Sequence, residues 1–182
     1  MKNKLFSLIK NSFFIKQILE IAIYNETNNL HFSKKAKNMT DKIHISWSEF
    51  HQDVKELCKK INQSGNYDKI VAISRGGLIP AGIISYELNI RNTSVINIAT
   101  YVGSKHLKLD HVDNPEFVGE VNEKTLIVDD LSDSGQTFNV MRRQFPKGKF
   151  VTVYTKNKGQ SEVDIYARLM PDEWLVFPWD VE

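Results

Sequence analysis

The chain has 182 residues, of which 41% are hydrophobic and 25% charged, values that fit one soluble globular domain and a length too short for two full-sized ones. The formal net charge of +2 consists of +5 in residues 1–38 and −3 in the remainder, and a mildly acidic body argues against nucleic acid as a partner. The single cysteine excludes an intramolecular disulfide and indicates a reducing, cytoplasmic location.

The first 38 residues differ in pattern from the rest of the chain. Their apolar residues recur at roughly helical spacing between lysines, and no uninterrupted apolar run reaches the roughly 20 residues that span a bilayer. One interpretation is an amphipathic helix that contacts a membrane surface, and the other is a disordered extension outside the fold. We favour the second and expect an N-terminal extension at residues 1–38 and a single domain at residues 39–182.

The first predicted element of this domain is a helix. Ser46 and Glu49 have the spacing of a capping box, in which each side chain accepts a hydrogen bond from the backbone N–H of the other. The helix is predicted to end at residues 64–66. Its buried face should consist of residues three and four apart, namely Trp47, Phe50, Val54, Leu57, Cys58 and Ile61. Within that face, Cys58 is expected to be a buried structural thiol rather than a nucleophile.

The rest of the domain is predicted to alternate between strands and helices. Short apolar runs indicate strands at residues 69–74, 94–100, 125–128 and 150–155, with helices at 78–88 and 137–143. This alternation is typical of the α/β class, with a central, mainly parallel sheet flanked by helices. Ligands of such sheets bind outside the carboxyl ends of the strands. The residues at those ends in this chain are Arg75-Gly76-Gly77, Thr100-Tyr101 and Asp129-Asp130.

The stretch after the third of these strands, residues 129–137, predicts an anion site. A turn that contains Gly135 and the hydroxyls of Ser134 and Thr137 leads into a helix, whose N-terminal N–H groups attract phosphate. The leading carboxylates, Asp129 and Asp130, suit ribose hydroxyls or Mg²⁺ rather than phosphate. An acidic helix cap would explain one acid and one hydroxyl but not the whole ordered set.

Residues 126–137, LIVDDLSDSGQT, resemble the signature by which type I phosphoribosyltransferases bind phosphoribosyl pyrophosphate (PRPP). This chain has Ser134 where threonine is usual and Gln136 where many relatives have glycine. The resemblance implies Mg²⁺ as cofactor, with Asp130 as the main metal-binding residue. It also implies a PRPP site formed by Arg75, Gly76, Lys105, Asp129, Asp130, Leu131, Ser132, Asp133, Ser134, Gly135, Gln136 and Thr137.

A second motif, residues 74–77 (SRGG), is similar to the pyrophosphate loop of the same family. The resemblance implies that Arg75 contacts the leaving pyrophosphate, and that the loop contains a cis peptide, which we expect at Arg75–Gly76. It further implies a flexible hood at residues 99–120 that closes over PRPP. In that hood Lys105 takes the place of an arginine of the relatives, if a two-residue deletion is allowed.

Residues 43–180 resemble bacterial xanthine-guanine phosphoribosyltransferases and related guanine and hypoxanthine enzymes, most informatively in the C-terminal PDEWLVFPWD. The resemblance implies that the base stacks on Trp174 and meets backbone groups near Leu175. Lys156 would donate to a 6-oxo group, which predicts 6-oxopurines over adenine. The alternative for Trp174, Phe177 and Trp179 is a stripe of aromatic core residues, and we expect it to hold for one or two of them.

The implied reaction converts guanine, xanthine or hypoxanthine and PRPP to the nucleoside 5′-monophosphate and pyrophosphate. Asp129 and Asp130 would hold the ribose hydroxyls and metal-bound water, and Asp133 would accept the proton at purine N7 as a general base. Relatives are dimers or tetramers, so a homo-oligomer is expected. Two alternatives stay open: a regulatory protein that binds PRPP without turnover, and a phosphoribosyltransferase for another base.

Overall fold

The computed structural model describes residues 42–100, 109–113 and 118–180, and the fold is that of the compact unit His44–Glu182. The predictions for residues 1–38, for Tyr101 and for Lys105 lie outside the described residues. Within the described ranges, no helix is both long and apolar enough to cross a membrane.

Helices and strands alternate along most of the chain, as predicted. The helices are α1 (Trp47–Ser64), α2 (Leu78–Glu87) and α3 (Gln136–Gln144), with a 3-10 turn at Gln160–Glu162. The strands are β1 (Lys42–His44), β2 (Lys69–Ser74), β3 (Asn92–Thr100), β4 (Leu109–Asp113), β5 (Thr125–Ser132), β6 (Lys149–Lys156), β7 (Ile165–Met170) and β8 (Trp174–Val176).

In the described part of the chain, six strands form a sheet in the order β4-β3-β2-β5-β6-β7. All neighbouring pairs are parallel except β3 and β4, which run antiparallel. This confirms an α/β fold with a mainly parallel sheet. The helix α3 packs over one group of core side chains, which includes Val71, Ile127, Phe138, Met141 and Phe150.

The strand β5 is longer than the four-residue stretch, TLIV at 125–128, that predicted it. Its pairing with β6 continues to the register Leu131–Tyr154 and Ser132–Thr155, so that Asp129 and Asp130 lie inside the strand rather than in the loop after it. The sequence did not indicate this because the apolar run stops at Val128. Backbone pairing with β6, rather than side-chain burial, extends the strand.

The helix α1 confirms the capping box and corrects one predicted core residue. The Ser46 hydroxyl accepts from the Glu49 N–H at 3.2 Å, and Glu49 Oε2 accepts from the Ser46 N–H at 2.9 Å. The other five predicted apolar residues of the helix are buried, but Trp47 is 56% exposed because the first residue of a helix lies at the edge of the packed layer. Burial raises the pKa of the Cys58 thiol to about 11, which confirms a buried structural thiol.

Candidate active site

Three predicted site stretches meet at the carboxyl edge of the sheet. Residues 75–77 follow β2, residues 129–137 run through the end of β5 and the next turn, and Lys156 ends β6. Because β2, β5 and β6 are neighbouring parallel strands, these stretches lie side by side. This is the edge at which open α/β sheets bind ligands.

The loop after β2 fits tightly against β5. A Cβ atom on Gly76 would lie 2.4 Å from a carboxylate oxygen of Asp130, and one on Gly77 would lie 2.2 Å from the Val128 carbonyl oxygen. Only glycine allows these approaches. The loop does contain a cis peptide, but the predicted position was wrong: the cis bond is Ser74–Arg75, one residue earlier.

The turn between β5 and α3 surrounds a cavity of about 100 Å³. Gly135 precedes the first residue of the helix and has a φ of 78°, a left-handed conformation that favours glycine. The helix N-terminus and the residues of the turn therefore face a shared space of the kind that binds phosphate. The lining residues are Asp129, Leu131, Ser132, Asp133, Ser134, Gly135, Gln136, Thr137 and Phe138.

One side chain of the predicted phosphate loop, residues 129–137, is buried and stabilises the loop. Ser132 is 5% exposed, and its hydroxyl donates to the Gly159 carbonyl at 3.1 Å. Gly159 packs so closely that an added Cβ would lie 2.4 Å from the Ser132 carbonyl oxygen. The segment after β6 thus holds the start of the phosphate loop in position.

The two acids on β5 lie in an environment that opposes two negative charges. Burial, with the neighbouring Asp130 charge as the second cause, raises the pKa of Asp129 well above its usual range. Burial also raises the pKa of Asp130 to about 6, with a further contribution from the charge of Asp180. A ligand that brings a cation or hydroxyl donors would relieve this repulsion.

Asp180 is an acid near the site that the sequence reasoning did not single out. Its carboxylate accepts the Phe177 N–H at 2.8 Å, which closes a turn, and its charge acts on Asp130. The acid is visible in the C-terminal PWD, but no local pattern separates a turn-forming aspartate from one that faces a ligand.

Two predicted base-binding residues are in contact although they are far apart in sequence. Lys156 Nζ lies 3.1 Å from Asp133 Oδ1, with the lysine side chain 6% exposed and the aspartate side chain 63% exposed. The buried ammonium is therefore paired with a carboxylate that stays accessible from the phosphate cavity. This places a donor and an acceptor side by side at the edge of the sheet.

The aromatic residues of the C-terminal segment, defined as residues 174–180, fall into two groups. Trp174 is 68% exposed, and the adjacent Leu175 is buried. Phe177 and Trp179 are stacked on each other, with ring centroids 4.7 Å apart and an interplanar angle of 11°. The aromatic-core interpretation thus describes Phe177 and Trp179, and Trp174 has an accessible face.

The donor set fits Mg²⁺ only together with a ligand. Among the described residues, no group of three or more His, Cys, Asp or Glu side chains is placed to hold a metal ion. Mg²⁺ prefers six oxygen ligands and keeps several waters, so one or two carboxylates are enough when phosphate and hydroxyl oxygens supply the rest. Asp129 and Asp130 meet that requirement, and their mutual repulsion favours a cation.

The sheet order and the phosphate turn that follows a central strand are those of the type I phosphoribosyltransferase fold. Residues 46–182 match the family model described as the phosphoribosyl transferase domain, and the chain belongs to this family. It is 41% identical over 138 residues to a xanthine-guanine phosphoribosyltransferase of Idiomarina loihiensis, an alignment that covers 75% of this chain and 86% of that relative.

Two solved structures extend the similarity to the fold. A purine phosphoribosyltransferase from Pyrococcus horikoshii is 28% identical, with a TM-score of 0.68 over 79% of this chain and 96% of the other. A xanthine-guanine-hypoxanthine phosphoribosyltransferase from Helicobacter pylori is 25% identical, with a TM-score of 0.65 over 77% of this chain and 94% of the other.

Proposed function

We propose that this chain is a purine salvage enzyme that transfers the phosphoribosyl group of PRPP to guanine, xanthine or hypoxanthine. The products are the nucleoside 5′-monophosphate and pyrophosphate. The contact between Lys156 and Asp133 beside the phosphate cavity carries the proposal. The xanthine-guanine and purine phosphoribosyltransferases to which the chain is similar support the choice of base.

The Lys156–Asp133 pair matches one edge of a 6-oxopurine. O6 and N7 are neighbours on that edge. Lys156 Nζ can donate to O6 while the Asp133 carboxylate accepts a proton from N7. Adenine presents an amino donor in place of O6, so a buried lysine would face a donor, and an unpaired buried polar group is strongly unfavourable.

The remainder of the base site is proposed from the C-terminal segment. Trp174 offers a planar, exposed ring on which a purine can stack. The buried side chain of Leu175 fixes the backbone next to it, whose N–H and C=O groups can meet the edge of the base. Stacking and edge recognition together would orient N9 towards the ribose.

In the proposed reaction the bond from ribose C1 to the pyrophosphate oxygen breaks and a bond from C1 to purine N9 forms. Arg75, the Gly76 backbone and Lys105 stabilise the negative charge that develops on the leaving pyrophosphate. Residues 131–137 hold the 5-phosphate, and Asp129 and Asp130 accept the ribose hydroxyls. The proton that the base loses passes to Asp133, which acts as general base.

Mg²⁺ is the proposed cofactor, and its role when bound is to neutralise pyrophosphate charge. Asp130 is the residue that would hold it, through oxygen or bound water, with Asp129 beside it. The raised pKa values of both acids support this assignment, since a bound cation favours their charged forms.

The assembly and domain organisation are also proposals. We propose residues 39–182 as the catalytic domain, in agreement with a family match over residues 46–182, and a cytoplasmic location. We propose a homodimer or homotetramer, because α2 exposes apolar residues on its outer side, among them Leu78 at 42% and Tyr86 at 91%. A helix that is apolar on all sides is normally covered.

The enzyme class can be tested by pyrophosphate release. The full chain is mixed with PRPP and Mg²⁺, and pyrophosphate is followed before and after guanine is added. Release that depends on guanine supports a phosphoribosyltransferase. Binding of PRPP without release on addition of any base would instead indicate a regulatory protein.

A further inference from the structure

An aromatic cluster lies behind the C-terminal segment and belongs to none of the roles above. It consists of Trp47, Phe50, Tyr154, Phe177 and Trp179. Trp179 contacts three of the other rings: it stacks on Phe177 at 4.7 Å, meets Phe50 edge-on at 4.7 Å and is tilted against Trp47 at 5.7 Å. The cluster thereby joins the C-terminal segment to α1.

The same cluster reaches the strand that carries Lys156. Tyr154 lies 5.9 Å from Phe177 and 6.3 Å from Phe50, measured between ring centroids. Side chains two residues apart on a strand point to the same face, and the pairing of β6 with β7 is regular from Tyr154 to Lys156. The ring of Tyr154 and the ammonium of Lys156 therefore share one face of the sheet.

Tyr154 is itself fixed by a buried hydrogen bond. Its hydroxyl donates to Asp53 Oδ2 at 2.7 Å, and Arg168 Nη1 donates to the same oxygen at 3.0 Å. Asp53 is 7% exposed and lies on α1, three residues after Phe50. A satisfied buried polar group of this kind favours one arrangement of the packed elements over others.

Apolar side chains and a backbone hydrogen bond also attach the C-terminal segment to the rest of the domain, and Leu175 and Val176 are buried. The Ile45 N–H donates to the Val176 carbonyl at 2.9 Å, and the hydrogen bonds between Phe177 and Asp180 are internal to the segment. Trp174, the first residue of the segment, is 68% exposed. The packing of Phe177 and Trp179 therefore contributes to the position of Trp174 relative to Lys156.

We propose that this aromatic cluster is a positioning device for the base site, which sets the distance between the purine face at Trp174 and the purine edge at Lys156. Trp179 and Tyr154 act as positioning residues and do not touch the substrate. The inference depends on the proposed function, which assigns Trp174 and Lys156 to base binding. It predicts a larger effect on base binding than on PRPP binding, because none of the five rings lines the cavity of the turn between β5 and α3.

The test is Trp179→Leu, with Michaelis constants measured separately for guanine and for PRPP. Loss of the three aromatic pairs of Trp179 should raise the KM for guanine about tenfold and leave the KM for PRPP within about twofold. Trp179→Phe should restore most of the affinity. Partial unfolding would lower kcat but not change KM, because KM does not depend on the amount of active enzyme.

Phe145→Leu is the matched control, because Phe145 is a buried aromatic residue at the far end of α3 and outside the cluster. It should lower the melting temperature and leave both KM values unchanged. If Trp179→Leu does not fold, Tyr154→Phe keeps every ring and removes only the bond to Asp53, with an expected rise of about threefold in the KM for guanine.

The outcomes separate the inference from the proposed function. A wild-type chain that shows no turnover of guanine, xanthine or hypoxanthine overturns both. An active Trp179→Leu enzyme with an unchanged KM for guanine, or with equal increases for guanine and PRPP, overturns the inference alone.

Discussion

Asp133 and Lys156 experience opposite environments although their charged atoms are 3.1 Å apart. The lysine side chain is 6% exposed and the aspartate side chain 63% exposed. A buried ammonium needs a charged partner, and this partner is accessible to a ligand. Because a lysine ammonium has three donors, Lys156 can keep its ion pair with Asp133 and also donate to the O6 of an incoming purine.

Asp133→Asn tests the general-base role. The amide keeps the size and part of the hydrogen bonding of the carboxylate but cannot accept the N7 proton. We expect kcat to fall by roughly 10²–10⁴-fold, the usual contribution of a general base, with little change in PRPP binding measured by calorimetry. An equal loss of turnover and PRPP affinity would assign Asp133 to PRPP binding alone.

The pair Asp129 and Asp130 should make stability depend on pH. The pKa of Asp130 in the folded chain is about 6, above the value of about 4 in an unfolded chain. The folded state therefore binds the Asp130 proton more tightly than the unfolded chain does. The stability that this proton contributes is present below about pH 4 and is lost as the pH rises to about 6. The expected loss is about 3 kcal/mol.

Urea unfolding of the wild type and of Asp130→Asn at pH 4, 5.5 and 7 measures this effect. The variant should gain stability relative to the wild type as pH rises, because it lacks the charge that burial disfavours. The difference between the two proteins removes the contribution of the titrating groups that do not interact with Asp130. A constant difference at the three pH values would contradict the assignment.

Among the elements, β5 and β6 organise the site more than the helices do. Their pairing continues to Ser132–Thr155, which places the two acids on a rigid strand and brings Lys156 beside the phosphate turn. The segment after β6 then packs on the loop, with Gly159 against Ser132. The phosphate loop is thus supported from both of its sides.

Gly159→Ala tests this support. The added Cβ would lie 2.4 Å from a backbone oxygen of Ser132, so the loop must move. We expect the KM for PRPP to rise about tenfold and the free energy of unfolding to fall by about 1–3 kcal/mol. Gly82→Ala is the control, since nothing lies within 4 Å of its added Cβ: it should leave the KM for PRPP unchanged, and, because Gly82 lies within a helix, it should raise rather than lower the free energy of unfolding.

The sequence predicted elements better than it predicted their limits and contacts. Apolar runs revealed β2, β3, β5 and β6, and the capping box revealed the start of α1. The strand β7 was missed because its residues are mixed in burial, as expected at a sheet edge. The contact between Asp133 and Lys156 follows only from strand order, which local patterns do not contain.

At the scale of the whole molecule, α2 has two apolar sides. Pro80, Ala81 and Ile84 are buried, whereas the other side forms an open groove with Leu78 and Tyr86 exposed. Both faces were apolar in the sequence, which predicted the helix but gave no information on which face would be covered within the chain. A second copy that packs on the outer face would cover it, in line with the proposed homo-oligomer.

Gly82→Glu tests this assembly. Gly82 lines the groove, and no atom lies within 4 Å of an added Cβ, so the monomer can accept the side chain. A charge in an apolar interface is unfavourable, and sedimentation should show a lower oligomeric state than the wild type. Ser48→Glu, which adds the same charge at an exposed position in the first turn of α1, should leave assembly unchanged. Identical sedimentation of both variants and the wild type would exclude this face as the interface.

The most direct test of the account is nucleotide formation from PRPP and Mg²⁺ with five bases: guanine, xanthine, hypoxanthine, adenine and uracil. We predict turnover of the three 6-oxopurines, and a kcat/KM for adenine lower by up to about 10⁴-fold, because its amino group would face the buried Lys156. Efficient turnover of adenine or uracil, or no turnover of any base by a chain that binds PRPP, would contradict it.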